Sequence, residues 1–287
     1  MPTTPKTTVE TWTIASVLNW TTNFFQRTEI EDARLNAELL LSHALGTTRI
    51  ALYTDYAREL PPDVLRNYRE LIMKRASHVP VQYLVGKVSF LRSELVVREG
   101  VFIPRPETEL LVKLLLDNVR AGRVADIGTG SGNIAVSAAL ANPNLEVVAA
   151  DISETALEVA RENIERHSLG NRVRVVRSDL FESLEGTFDA VVSNPPYVSA
   201  AELERCQPEV REHEPREALY GGTDGLDVIR RLVRSAPAVL APGGTLIVEI
   251  GAGQANAAAE LARESFQRVV VHKDFNGIDR ALVAQRT

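Results

Sequence analysis

The sequence predicts a chain in two parts, a small helical domain followed by an α/β domain built on a parallel sheet. Three patterns predict it. Apolar residues at three- and four-residue spacing fill the first quarter, short β-rich runs follow around Gly86 and Ser93, and from Glu107 onward strand-like and helix-like segments alternate. Helices are expected from about residue 9 to 78: Ile14, Val17, Leu18 and Thr21 share one face, Ala37, Leu40, Leu41 and Ala44 a second, and Val64, Tyr68, Leu71 and Ile72 a third. Pro61-Pro62 opens the last of them, because proline in the first turn withholds an N–H that the helix leaves unpaired anyway. The first few residues, rich in Thr and Pro, are expected to be mobile. Val81 to Val97 reads as β-rich, a hairpin linker.

A helix through Leu110, Leu111, Leu114 and Leu115 then leads into the alternation. Strands are expected at Val124-Ala125, Glu146 to Ala150, Val173 to Val176, Ala190 to Ser193, Thr245 to Glu249, Val269 to His272 and Arg280 to Val283. Helices are expected at Ile134 to Leu140, Val228 to Leu240 and Ala255 to Glu264. Such alternation implies parallel strands joined by right-handed crossovers. The expected boundaries are a helical domain over 1–80, a hairpin linker over 81–101 and the α/β domain over 102–287.

Composition excludes more than it selects. At 287 residues with 45% hydrophobic content the chain has material for two cores. A net charge of −6 opposes nucleic-acid binding, which normally leaves a basic footprint. The charge is uneven, since Arg66 to Arg105 holds eight Lys or Arg against three Glu. That stretch is either a solvated surface or a docking face for an acidic protein through Lys74, Arg75 and Lys87. A lone cysteine, Cys206, excludes an intramolecular disulfide and a cysteine-cluster zinc site. The five histidines lack ligand spacing, so no metal is expected. No leader pattern and no run of about 18 apolar residues is present, so a cytoplasmic protein without a membrane partner is expected.

The chemistry is concentrated at strand ends. Asn194-Pro195-Pro196-Tyr197 follows the apolar run Ala190 to Ser193. Pro195 pushes Asn194 into an extended conformation, and neither proline offers an N–H. The turn therefore presents acceptors, the Asn194 side-chain carbonyl and the Pro195 backbone carbonyl, which together match the two hydrogens of a planar NH2 group. Tyr197 adds a flat face for the same group. Upstream, Asp126-Ile127-Gly128-Thr129-Gly130-Ser131-Gly132 lies between a strand and a helix, where glycines let a ligand approach the backbone. Asp151 ends the next strand, about 20 residues on, where an acid binds ribose hydroxyls in doubly wound folds. The spacing G-x-G-x-G departs from the dinucleotide fingerprint and disfavours a pyrophosphate. Asp179 ends a further strand as an acceptor for a purine amine.

These residues resemble the class I S-adenosylmethionine-dependent methyltransferases and, within them, the peptide chain release factor N5-glutamine methyltransferases. The resemblance covers nearly the whole chain: Asp32-Ala33 with Glu38 to Leu41, Pro80 to Gly86, Phe102 to Glu109, the glycine turn, Ser178 to Phe181, the Asn-Pro-Pro-Tyr turn, Glu214-Pro215 with Ala218-Leu219, and Gly221 to Leu226. Ribosomal-protein glutamine methyltransferases usually carry a Pro-Arg-Ser-Pro type segment where this chain has Pro104 to Thr108. The resemblance implies a Rossmann-like seven-stranded sheet, S-adenosylmethionine as cofactor, and a class I release factor as protein substrate, methylated on the glutamine of its Gly-Gly-Gln loop. It implies that Gly128, Thr129, Gly130, Ser131 and Gly132 hold the methionine portion, Asp151 the ribose, and Asp179 with Leu180 the adenine. Leu180 stands where some members have an aromatic residue. Asn194, Pro195, Pro196 and Tyr197 would hold the glutamine, with Asn194, Pro195 and Tyr197 catalytic and Asn194 also beside the cofactor. The segment Phe102 to Glu109 would close over the cofactor, with Arg105 or Glu107 reaching its amino-acid end or forming a surface ion pair. The helical domain would recognise the substrate, and a monomer with no nucleic-acid partner is expected. Glu249 closes a strand and is assigned no role.

Adenine N6 presents the same planar NH2, so an N6-adenine methyltransferase of DNA or RNA is the alternative. Acidic charge, the absence of an evident base-flipping aromatic cluster and the segments quoted above oppose it.

Overall fold

The structure, a computed structural model, describes residues 11–286. The expectation for the first few residues lies outside them. The chain forms two compact units divided between Val85 and Gly86.

The first unit is helical: α1 (Ile14–Arg27), α2 (Ala33–Leu45), α3 (Arg49–Thr54), α4 (Pro62–Ala76) and α5 (Val81–Val85). Thr13 caps α1 by accepting from Ser16 N–H, while the Ser16 hydroxyl accepts from Thr13 N–H. Ile14, Val17, Leu18 and Phe25 of α1 pack with Leu40 and Leu41 of α2 and with Tyr68 and Ile72 of α4, the stripes expected from the spacing. Buried Glu38 is held by Arg34, Arg49 and Tyr53.

Two expectations are corrected here. Residues 81–85, expected as β-rich, are helical: the Pro80 carbonyl accepts from Tyr83 and Leu84 N–H, and burial of Val81 in the helical core fixes the turn. Arg75 is no docking residue, because it is 3% exposed and its Nε donates to Asn36 Oδ1 at 2.7 Å.

The second unit opens with a hairpin, β1 (Lys87–Phe90) and β2 (Ser93–Val96), paired antiparallel. Lys87 is paired with Glu94 at 2.7 Å. Then follow α6 (Glu109–Asn118), β3 (Gly122–Ile127), α7 (Asn133–Ala141), β4 (Leu145–Asp151), α8 (Glu154–Arg166), β5 (Val173–Arg177), β6 (Phe188–Ser193), α9 (Ala200–Leu203), α10 (Pro208–His213), α11 (Asp227–Val239), β7 (Leu240–Glu249), α12 (Ala255–Arg263), β8 (Arg268–Lys273) and β9 (Asp279–Gln285). The seven-stranded sheet has the order β5-β4-β3-β6-β7-β9-β8. Its first five strands are parallel, and β9 runs antiparallel to both neighbours. The seven-stranded sheet is as expected, and its parallel pairing ends at β9, where Asp274 to Ile278 close a tight turn instead of a helical crossover.

Alternate residues of each central strand enter two apolar layers. Val124, Ala149, Val192 and Ile247 face α6 and α7, while Ala125, Val148, Val191 and Leu246 face α11 and α12. Burial on both faces is why these strands read as unbroken apolar runs. From β3 the chain winds outward through β4 and β5, then returns to β6 on the other side of β3. The carboxyl ends of β3 and β6 therefore flank the switch point, where such sheets bind ligands. Among the described residues no helix is long and apolar enough to cross a membrane.

Candidate active site

Two turns meet at that switch point. The first leaves β3 with left-handed φ at Gly128, Gly130 and Gly132 (69°, 56° and 80°), a path open to glycine at little cost. Its amides are tied to the neighbouring strand, since Gly128 and Thr129 N–H donate to the Ala150 carbonyl at 2.8 and 3.0 Å. Asp151 braces it from below: Oδ2 accepts from Gly130 N–H and Oδ1 from Ser153 N–H, both at 2.9 Å. Asn163, fully buried on α8, donates to the Ser131 carbonyl and to the Val96 carbonyl, joining the hairpin to the turn.

The second turn leaves β6. The Ser193 hydroxyl donates to the Ile127 carbonyl at 2.7 Å and locks the two strand ends together. Asn194 to Tyr197 follow, and a cavity of about 260 Å³ is lined by Gly128, Thr129, Gly130 and Ser131 on one wall and by Asn194 to Tyr197 on another. Asp151, Asp179 and Leu180 line it as well. Gly132 does not; a side-chain carbon there would touch Ala160 at 3.4 Å, so this glycine serves the close packing of α7 on α8. Asp179 gives one oxygen to Arg231 at 2.8 Å. Leu180 is left-handed, at φ 49°, a conformation that costs a non-glycine residue roughly 1 kcal/mol or more. Arg105 does not pair with Glu107: it is bound to Glu214, a buried carboxylate that also accepts from Ile103 N–H. Among the described residues no cluster of His, Cys, Asp or Glu could hold a metal ion.

Two residues with no individual role expected of them lie behind the site. Thr108, in a short 3-10 turn, and Glu249, the last residue of β7, are both buried. The Thr108 hydroxyl donates to Glu249 Oε2 at 2.7 Å and accepts from Asn194 Nδ2 at 3.0 Å, while Tyr197 OH donates to Glu249 Oε1 at 2.9 Å. Burial pushes the Tyr197 phenol up, reinforced by the Glu249 carboxylate, and burial also raises Glu249. The available signal was an acid closing an otherwise apolar strand, Leu246-Ile247-Val248-Glu249.

Asp126 is fully buried beneath the glycine turn. Its Oδ2 accepts from the Thr129 hydroxyl at 2.6 Å and Ala135 N–H at 3.1 Å, while Oδ1 and the nearby Ser131 hydroxyl are buried with no partner. Burial raises the Asp126 pKa to about 7. The folded protein thus holds this proton more tightly than the unfolded chain does, so stability falls as pH rises from the unfolded value toward 7. At about 1.4 kcal/mol per pKa unit, the native protein is expected to lose roughly 2 to 3 kcal/mol from pH 5 to 8 that an Asp126→Asn variant retains. Denaturant unfolding of both proteins at the two pH values measures the difference; identical slopes would remove the assignment.

Comparison with known proteins gives a consistent picture. A family model described as the PrmC N-terminal domain matches residues 16–86, and one described as the methyltransferase small domain matches residues 94–207. The chain is 45% identical to a release factor glutamine methyltransferase of Geobacter sulfurreducens, over 95% of this chain and 96% of that protein. It is 42% identical to one of Rhodopirellula baltica, over 96% and 97%. Among solved structures, a 16S rRNA methyltransferase of T. thermophilus, in complex with AdoMet and guanosine, superposes with a TM-score of 0.52 at 22% identity. That match covers 70% of this chain and 50% of the other, and establishes the fold alone.

Proposed function

Because this chain belongs to the release factor glutamine methyltransferases, and so transfers a methyl group from S-adenosylmethionine to a release factor glutamine, we propose that the Asn-Pro-Pro-Tyr turn clamps the side-chain amide and the glycine turn seats the cofactor. The target is the Gly-Gly-Gln glutamine of a class I release factor, modified at its side-chain nitrogen. The helical unit recognises the protein substrate, and the enzyme works as a monomer in the cytoplasm without a nucleic-acid partner.

When bound, S-adenosylmethionine supplies an electrophilic methyl group on a sulfonium. Gly128 to Ser131 line the cavity and would hold its methionine portion. Asp151 would take the ribose on the lone pairs left free by Gly130 and Ser153, and Asp179 with Leu180 the adenine. A carboxamide nitrogen is a poor nucleophile because its lone pair is delocalised into the carbonyl, so positioning dominates. Correct orientation can supply roughly 7 to 11 kcal/mol of a barrier, against about 0.5 to 1.5 for one hydrogen bond. Asn194 Oδ1 and the Pro195 carbonyl would each accept one hydrogen of the NH2, turning its lone pair toward the methyl group.

A single observation carries this reading. Asn194 lines the same cavity as the glycine turn, and its NH2 is engaged by Thr108, which leaves its carbonyl for the substrate. Mass spectrometry of a release factor before and after incubation with enzyme and cofactor tests it. One added methyl on the glutamine is expected, with none on a Gln→Glu release factor or on an adenine-containing oligonucleotide. A site that accepts hydrogen bonds from NH2 discriminates against groups lacking it by about 10⁴-fold. Methylation of the oligonucleotide but not the release factor would overturn the proposal.

A further inference from the structure

The Asn194 side chain could in principle face the cavity with either its carbonyl or its NH2, and only the carbonyl can hold a glutamine NH2. What decides between them lies behind the turn. Glu249 is 1% exposed and two hydroxyls converge on it, Tyr197 OH on Oε1 at 2.9 Å and Thr108 on Oε2 at 2.7 Å. Both hydroxyls donate to this side chain, so the single proton of each is committed there. Thr108, wholly buried, then turns only lone pairs toward Asn194, which sits 3.0 Å away and must answer with its NH2. The reversed amide would set two acceptors against each other inside the protein, the kind of mismatch that buried polar groups avoid.

On the reading that Asn194 grips the substrate amide, we infer that Glu249 is a positioning residue that sets the polarity of the grip. Through Thr108 it fixes the Asn194 carbonyl as the acceptor, and through Tyr197 it holds the aromatic face beside it. Selectivity for an amide over a carboxylate is thereby set by a carboxylate that does not touch the substrate.

Glu249→Gln tests this, because its side chain has the same shape but carries one donor arm. With that arm on Thr108, the threonine proton is released toward Asn194, whose amide can turn and offer NH2 to the cavity. The expected result is a fall in kcat of about tenfold or more, cofactor affinity close to native, and competitive inhibition by a Gln→Glu release factor strengthened about tenfold relative to native enzyme. Altered inhibition by the carboxylate ligand separates reversed polarity from mere loosening. A second pair of variants serves if Glu249→Gln folds poorly: Thr108→Val should lose turnover, and Thr108→Ser, which keeps the hydroxyl, should restore most of it. Native kcat and native inhibition in Glu249→Gln, or equal losses in Thr108→Val and Thr108→Ser, would overturn the inference. If the native enzyme leaves the release factor unmethylated, it is the reading of the site itself that fails.

Discussion

Replacing Asn194 by alanine is expected to lower kcat by roughly 10²- to 10³-fold, with S-adenosylmethionine affinity within about tenfold of native. The lost hydrogen bond alone would account for only about a fivefold effect, at about 1 kcal/mol. The larger figure follows because the group also defines direction. With Pro195 as the sole acceptor, the substrate NH2 can rotate about that one bond, and the fraction of bound glutamine with its lone pair on the methyl group falls. Cofactor binding is expected to survive because the glycine turn proposed to seat it is anchored to β4 through Ala150 and Asp151 independently of Asn194. Single-turnover methylation of release factor beside calorimetric cofactor titration separates the two quantities. A variant with native turnover would remove Asn194 from the clamp.

Much of this site was legible in the sequence because each of its parts is contiguous. The glycine turn and the Asn-Pro-Pro-Tyr turn are local solutions to local backbone problems, and a parallel sheet delivers successive strand ends to one edge whatever the loops do. The partners behind the site were not legible. Thr108 and Glu249 are 141 residues apart, and their contact exists because Glu249 ends β7, next to β6, which ends at Ser193 just before Asn194. Strand order, unlike strand identity, leaves no mark on a single sequence. Arg75 misled for a related reason: a charged side chain near the end of an amphipathic helix reads as solvated unless its buried acceptor, Asn36, is known. Residues 81–85, apolar but for Gln82, fit strand or helix equally well, and the preceding proline, which accepts the first helical bonds, decided it.

Gly225→Ala is expected to cost roughly 10²-fold in turnover through backbone contact alone. The loop from Gly221 to Gly225 presses on the Asn-Pro-Pro-Tyr turn backbone to backbone, and Gln254 Nε2 donates to both the Tyr197 and the Gly225 carbonyls. A carbon added at Gly225 would fall 2.2 Å from the Tyr197 carbonyl and 2.6 Å from Gln254 Nε2, which itself bonds that carbonyl at 2.9 Å. At Gly221 the added carbon would lie 2.6 Å from the Pro196 carbonyl. Neither backbone oxygen can retreat without moving the clamp, and a displacement of about 1 Å is enough to cost around 10²-fold in a reaction that depends on alignment. Left-handed φ at Gly225, 76°, adds strain of about 1 kcal/mol or more that has nothing to do with the site. Gly243→Ala isolates that contribution: its φ is 75°, nearly the same, yet nothing lies within 4 Å of the added carbon. It should lose stability comparably to the strain in Gly225→Ala while keeping native turnover. Equal activity losses in the two variants would mean that backbone strain, and not the close approach to Tyr197, is what the glycine relieves.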